Sequence, residues 1–325
     1  MRIGVLGAAR IAPAALLRPA RAVDGVEVAA VAARDRGRAA AFARQHGVPT
    51  VHDSYADLLA DPSLDAVYVP LPNGLHAKWT LAAIEAGKHV LCEKPFTANA
   101  AQARQVAAAA DRSGLVVMEA FHYRYHPLAR RMAEIVHSGE LGEIRRVATA
   151  MCFPLPRFSD IRYDFGLAGG ALMDAGCYAV HCLRLLAPGE PAVTAATALT
   201  LRRDRRVDRA LTARFSFPGG AAGEVRTSMW SSALLRIRAE VVGERGTLSV
   251  HNFVAPQFWS RFSVAVDGRR RRERFAGEAT YVHQLRAFAA AVRGAEANLT
   301  PPADSVRTMS LIDHIYEAAG LPLRG

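Results

Sequence analysis

The sequence predicts an α/β chain in two parts: a doubly wound parallel sheet in residues 1–121, then an α+β domain with a large, mainly antiparallel open sheet in residues 122–325. Three observations predict it. Short apolar strands alternate with helical segments through the first part, which calls for parallel strands joined by right-handed crossovers. A turn of small residues joins the first strand to the first helix. Beyond His126-Pro127, strands follow one another through Gly- and Pro-containing turns with few helices between them, the pattern of antiparallel pairing.

Residues 2–7 form the first strand, and a helix is expected from near Ile11. The turn between them, Gly7-Ala8-Ala9-Arg10-Ile11-Ala12, is the dinucleotide pattern G-x-G-x-x-G with alanine at its second and third glycine positions. Small residues are required because backbone approaches a pyrophosphate at the helix N-terminus and the helix packs closely on the strand. Residues 26–32 make a second strand, 35–45 a helix and 50–52 a third strand, after which Ser54 caps a short helix. A fourth strand, 66–69, runs into Pro70-Leu71-Pro72-Asn73, and the helix 75–86 is closed by Gly87. Strand 90–92, helix 100–112 and strand 115–118 complete a Rossmann domain. In the second part, helix 128–138 leads into strand 144–153, followed by strands at 192–202, 209–217, 221–228, 237–243 and 247–252. Asp267-Gly268 marks a hairpin, which makes the run Arg269 to Arg272 a solvated arm. An exposed face on this sheet would be self-complementary, so a homodimer or homotetramer is expected.

Composition excludes several classes. Four cysteines, Cys92, Cys152, Cys177 and Cys182, show no Cys-x-x-Cys spacing, so neither a metal site nor a disulfide framework is expected, and reduced thiols suit a cytoplasmic protein. The net charge of +11 comes from arginines spread along the chain with no nucleic-acid-binding motif, so no nucleic acid partner is expected. Arg10, Pro13 and Arg18 interrupt the apolar N-terminal stretch, and no membrane span is expected.

Two stretches carry chemistry. In Lys88-His89-Val90-Leu91-Cys92-Glu93-Lys94-Pro95, a buried strand delivers Glu93 and Lys94 to its carboxyl end, the edge at which open α/β sheets hold ligands. In Gly169 to His181, Asp174, Tyr178 and His181 fall on one helix face at spacings of four and three. A core would have to satisfy the acid and the phenol for no structural gain, so these two read as functional, and His181 as a satisfied helix histidine. The end of the second strand, Ala32-Ala33-Arg34-Asp35-Arg36 with Arg38 one turn on, selects the cofactor: Arg34 and Arg38 favour the 2′-phosphate of NADP, whereas Asp35 would favour NAD if the strand ran one residue further.

Taken together, Gly7-x-Ala-x-x-Ala, Asp65-Ala-Val-Tyr68 leading to Pro72-Asn73-x-x-His76, Ala86 to Pro95, Gly170-x-x-x-Asp174-x-Gly-x-Tyr178 and Tyr281-x-x-Gln284 resemble the Gfo/Idh/MocA oxidoreductases along nearly the whole chain. The stretch Glu119 to Pro127 and the tyrosine at 178 look most like the branch of dihydrodiol dehydrogenases, NADP-linked aldose dehydrogenases and glucose-fructose oxidoreductase. The two alanines of the glycine-rich turn and His122 depart from that pattern.

The resemblance implies hydride transfer between nicotinamide C4 and a carbon bearing a secondary alcohol or carbonyl, on a sugar, polyol or cyclic diol. It makes Lys94, followed by a frequently cis Pro95, an active-site residue. Tyr178 would exchange a proton with the substrate oxygen, Lys94 would favour its phenolate, and Asp174 would orient a neighbouring hydroxyl. Gly7, Ala9, Arg10, Ile11, Arg34, Arg38, Leu71, Asn73, His76, Glu93 and Lys94 would bind the cofactor, NADP in preference to NAD. Arg162 either reaches substrate or makes a structural salt bridge. A nucleotide-sugar ketoreductase, an NAD-dependent glycosidase and a non-catalytic cofactor-sensing protein are the alternatives.

Overall fold

The computed structural model describes residues 1–275 and 277–325. By its internal contacts the chain divides into two compact units, Met1–Tyr125 with Tyr281–Val306, and His126–Thr280 with Arg307–Gly325. Residues 281–306 thus belong with the N-terminal part, where a single cut after residue 121 would not place them.

In the first unit β1 (Arg2–Leu6), β2 (Glu27–Ala32), β3 (Thr50–His52), β4 (Ala66–Val69), β5 (His89–Cys92) and β6 (Val117–Glu119) form an all-parallel sheet in the order β3-β2-β1-β4-β5-β6. The order reverses between β1 and β4, so the crevice lies at their carboxyl ends. Helices on both faces bury all of β4 and all of β5 but His89, which is why these strands read as near-continuous apolar runs. α2 (Arg36–His46), α3 (Tyr55–Ala60) and α5 (Ala100–Ser113) begin at Asp35, Ser54 and Asn99, whose side chains accept from the backbone N–H three residues on, each stabilising its helix by about 1 kcal/mol. α4 (His76–Glu85) follows β4 through a single 3₁₀ turn, Asn73–Leu75.

Two elements differ from expectation for identifiable reasons. The first helix forms as a π turn, Pro13–Leu17, continuing into α1 (Arg18–Ala20), because Pro19 has no N–H to give to the carbonyl four residues back and the turn widens instead. The sixth strand begins two residues later than the sequence suggests. The Val116 N–H is taken by the His89 imidazole at 3.0 Å, while the Glu119 N–H finds the Thr300 carbonyl of the returning segment and lengthens the far end.

That returning segment contains most of α8 (Thr280–Val292) and the start of α9 (Pro302–Ala318). It is tied to β6 by Asn298 Nδ2 on the Val117 carbonyl (2.8 Å) and the Thr300 hydroxyl on the Glu119 carbonyl (2.7 Å). The buried Glu119 carboxylate accepts from the Ser305 hydroxyl at 2.6 Å and from the Phe96 N–H at 2.9 Å.

The second unit holds an eight-stranded sheet: β7 (Ile144–Cys152), β8 (Ala192–Thr200), β9 (Asp208–Ser216), β10 (Ala222–Ser228), β11 (Arg236–Gly243), β12 (Gly246–His251), β13 (Arg261–Val266) and β14 (Arg269–Glu273). Their order is β14-β13-β12-β11-β7-β10-β9-β8, antiparallel except for β7 beside β10. The hairpin turn Asp267-Gly268 has both residues at positive φ, as a two-residue turn between twisted strands requires. α6 (Pro127–His137) packs on α7 (Cys177–Leu186), which covers one face of the sheet, where the Thr149 hydroxyl donates to the Ala179 carbonyl. By strand alternation the other face carries Arg146, Arg238 and Glu240 from β7 and β11, joined as ion pairs, with Glu224 and Arg226 of β10. No helix among the described residues is long and apolar enough to cross a membrane.

Ser305→Ala should lower the unfolding free energy by about 1–3 kcal/mol, because Glu119 loses a buried donor. Urea unfolding checks it, and an unchanged midpoint would remove Glu119 from the set of groups that anchor the returning segment.

Candidate active site

In the first unit the Gly7 N–H bonds the Ala32 carbonyl at 2.7 Å, linking the tips of β1 and β2. Gly7 has φ +107°, and a Cβ there would meet Leu71 Cδ2 at 3.0 Å, so the turn is open only because the residue is glycine. Ala12, at the third glycine position, is fully buried, as close packing of helix on strand requires there. Ala9 is partly exposed, and Arg10 and Ile11 are exposed, on the segment that precedes the π turn.

At the end of β2, the strand stops at Ala32 and the Asp35 carboxylate accepts from the Arg38 N–H at 2.8 Å. The acid that could have held a ribose hydroxyl is used as a helix cap. Arg34 and Arg38 are exposed, and their charges both act on the Tyr55 hydroxyl, opposing the rise that burial imposes on its pKa. Two exposed cations, a committed acid and an open glycine turn fit a pyrophosphate with a 2′-phosphate.

β4 and β5 bring a second group of predicted residues together. His76 opens α4 fully buried, with Nε2 at 2.7 Å from the Leu71 carbonyl and Nδ1 at 2.7 Å from the Pro95 carbonyl. Burial, with the nearby Lys94 charge, pushes its pKa down to about 4 against the pull of those two carbonyls. A neutral ring donates to only one carbonyl, so His76 holds the loops after β4 and β5 in register with one acceptor unmatched. Asn73 stands in the 3₁₀ turn just before it. The Lys94–Pro95 bond is cis. Glu93 is buried. It accepts from the Tyr68 hydroxyl at 2.8 Å, and burial pushes its carboxyl up while the Lys94 charge and the Tyr68 bond draw it back.

Tyr68, His122 and Tyr281 were not among the predicted site residues. Tyr68 is a fully buried phenol in an otherwise apolar strand, and the readable signal was its need for a partner. The His122 ring lies 4.0 Å from that of Tyr281, and burial together with the Lys94 charge drives its pKa down to about 3. Burial, then the Glu93 charge, raises that of Tyr281. Glu93 and Lys94 thus stand near an imidazole whose pKa is lowered and a phenol whose pKa is raised.

In the second unit, Leu172–Gly176 is a π turn running into α7. Asp174 lies inside that turn and Tyr178 one residue into α7, so their four-residue separation spans a widened turn rather than the regular helix expected. Asp174, Tyr178 and His181 are all buried. Arg162 Nε is 3.6 Å from Asp174 Oδ1, and its Nη1 donates to Asp160 Oδ1 at 3.1 Å. Arg162 is therefore an ion-pair partner of the candidate substrate-binding acid, and it keeps 46% of its side chain exposed, enough to meet a ligand as well. Phe158, on the same loop, packs against Trp230 and Tyr163.

The family model "Oxidoreductase family, NAD-binding Rossmann fold" of the Gfo/Idh/MocA group matches residues 1–121, and that of the Gfo/Idh/MocA C-terminal domain matches residues 129–249. The chain is 42% identical to a D-xylose 1-dehydrogenase (NADP(+)) of Haloferax volcanii, over 98% of this chain and 97% of that one. It is 34% identical to a dTDP-3,4-didehydro-2,6-dideoxy-α-D-glucose 3-reductase of Actinomadura kijaniata, over 98% and 96%. A 3-ketoreductase from Actinomadura kijaniata, solved in complex with NADP and TDP-benzene, matches with a TM-score of 0.89 at 32% identity, covering 98% and 97%. Further structures of that ketoreductase carry a tyrosine-to-phenylalanine or a lysine-to-alanine replacement, at positions as far apart as Lys94 and Tyr178.

Acid should weaken this fold through His122. Its pKa is lower in the folded chain than the ordinary 6.5, so its neutral form contributes stability above that value and loses it as pH falls toward 3. Between pH 7 and pH 5 the loss is about 2 kcal/mol, and His122→Leu should be flatter by that amount in urea unfolding at the two pH values. Equal slopes for parent and variant would contradict the assignment.

Proposed function

Because the chain belongs to the Gfo/Idh/MocA oxidoreductase family, we propose that it is an NADP-dependent dehydrogenase that oxidises the anomeric carbon of a free aldose, with D-xylose the first substrate to test. The observation that carries this reading is the pair Lys94 and Tyr178. A lysine at the carboxyl end of β5 and a buried phenol at the head of α7 match in spacing the two residues replaced in the solved ketoreductase variants. The end-to-end likeness to the xylose enzyme supports the substrate class.

Bound NADP supplies the hydride acceptor, C4 of its nicotinamide. The chain's own work is to bind, orient and move one proton. As the substrate C–H gives up hydride, its hydroxyl proton passes to Tyr178, and the sugar leaves as the lactone. Lys94 supplies positive charge at the carboxyl end of β5, where Glu93, held by Tyr68, fixes it. Asp174 accepts from a neighbouring sugar hydroxyl and is itself oriented by Arg162. Gly7, Ala9, Arg10 and Ile11 take the pyrophosphate, Arg34 and Arg38 the 2′-phosphate, and Leu71, Asn73 and His76 the nicotinamide side.

We assign cofactor binding to residues 1–121 and substrate binding with self-association to 122–325. The open face of the eight-stranded sheet is the surface for a homodimer or homotetramer, because its alternating charges can pair across a twofold axis. The four buried free cysteines suit a cytoplasmic protein. A nucleotide-sugar ketoreductase is the second reading, supported by the Actinomadura kijaniata reductase and its TDP-benzene complex.

The test is an assay of NADP and NAD reduction against aldoses, polyols and trans-diols, with a dTDP-linked keto sugar run in reverse with NADPH. Stoichiometric reduction with D-xylose or another aldose is expected; turnover of the dTDP-sugar alone would replace this reading with the second. Tyr178→Phe should lower kcat by about 10²–10⁴-fold with NADPH affinity kept, as expected for loss of a general acid–base. An Arg34→Ala, Arg38→Ala double variant should weaken NADP binding by about 10-fold or more while leaving NAD little changed, since only the 2′-phosphate contacts are lost. Equal losses for the two cofactors would show that these arginines do not read it.

A further inference from the structure

Arg324, Asp208 and Tyr316 form a buried charged cluster that the proposed chemistry does not use. The Arg324 and Asp208 side chains have no solvent exposure, and Nη2 meets Asp208 Oδ1 at 2.8 Å. The Tyr316 hydroxyl donates to the same oxygen at 3.0 Å, and its ring lies beneath the guanidinium, 4.0 Å from Cζ to the ring centroid. Removing such charges from water is costly, and fold stability alone is often served as well by apolar groups.

What the cluster holds is specific. Asp208 Oδ2 accepts from the Leu172 N–H at 2.7 Å, at the first residue of the π turn that contains Asp174. Arg324 Nε donates to the Gly169 carbonyl at 2.9 Å. Gly169 and Gly170 in turn hold the loop of Arg162: the Gly170 N–H bonds the Arg162 carbonyl at 2.8 Å, and a Cβ on Gly169 would come within 2.5 Å of that oxygen. Gly170 is equally confined, with φ +141° and a hypothetical Cβ only 2.2 Å from Asp208 Oδ1. The Asp174 N–H returns to the Gly170 carbonyl at 3.0 Å. One guanidinium–carboxylate pair therefore fixes both the Arg162 backbone and the start of the segment bearing Asp174 and Tyr178.

We propose that Arg324 and Asp208 are positioning residues for the reaction, setting the register of the Arg162 loop against the Asp174–Tyr178 segment. The inference rests on the reading of that segment as the reacting one. The fork is needed for it: one nitrogen reaches Asp208 and another the Gly169 carbonyl, and a lysine cannot span both.

The experiment compares full-length Arg324→Lys, Asp208→Asn, Tyr316→Phe and Tyr178→Phe with the parent, using NADP and the sugar that the substrate panel identifies. NADPH affinity by fluorescence and amide exchange over residues 162–178 are measured on the same preparations. Misplacing reacting groups by about 1 Å costs about 10²-fold, so Arg324→Lys and Asp208→Asn should lose about 10- to 100-fold in kcat per folded molecule. NADPH affinity should change less than about twofold, and exchange at Leu172 and Asp174 should quicken. Tyr316→Phe keeps the ring and the ion pair, so it should fold even if the charged variants do not, and should lose a few-fold in kcat with the same exchange signature. Folded variants with parental kcat and parental exchange would overturn the proposal, as would a Tyr316→Phe enzyme with a lower melting temperature but unchanged kcat. If Tyr178→Phe also retains parental turnover, the reading of the segment fails; if Tyr178→Phe is inactive while the other variants are unaffected, only the positioning role fails.

Discussion

Burying a charge is the constraint around which each unit is arranged. In the first unit Glu93 and Glu119 lie at the carboxyl ends of neighbouring strands, both out of solvent. Each is kept there by donors from other parts of that unit: Tyr68 for Glu93, and Phe96 and Ser305 for Glu119. In the second unit Asp208 has that position, answered by Arg324, Tyr316 and the Leu172 N–H. A buried carboxylate tolerates little movement, because losing one donor leaves the desolvation cost uncompensated. The segments supplying the donors are thereby fixed, and two of them, those of Phe96 and Leu172, also carry Lys94 and Asp174.

Much of this was legible. The alternation of apolar runs with helices specified the parallel sheet, and the glycine-poor turn after β1 marked the nucleotide end of it. Asp35 illustrates the limit: its sequence position admitted either ribose recognition or capping, and only the stop of β2 at Ala32 assigns it to the Arg38 N–H. Asp174 and Tyr178 stood out by chemical type, a polar pair on an apolar stripe, and both are buried. The π turn beneath them did not stand out, since five-residue turns leave no periodic trace of their own.

The cluster around Asp208 was illegible for a different reason. Asp208 sits in Arg205-Arg206-Val207-Asp208-Arg209, which has the composition of a solvated turn, and Arg324 follows a proline and a leucine with nothing to mark it. Their partners are distant in the chain, and burial of a charge is decided by what arrives to cover it. His122 is similar: its depressed pKa comes from neighbours brought by α8 and β5, both remote from it in sequence. Periodicity reports which face of an element is covered, and it says nothing of long-range polar pairs.

The use of Asp35 as a cap bears on how cofactor preference could drift. In a domain where that acid faces the ribose, trading one coenzyme for the other is a matter of exchanging surface side chains. Here the acid carries part of the stability of α2, worth about 1 kcal/mol for a cap. Freeing it to greet a bare ribose would fray the helix that follows, while deleting the arginines alone would remove one coenzyme without inviting the other. A lineage starting from this loop would have to acquire a new cap before it could change its electron carrier.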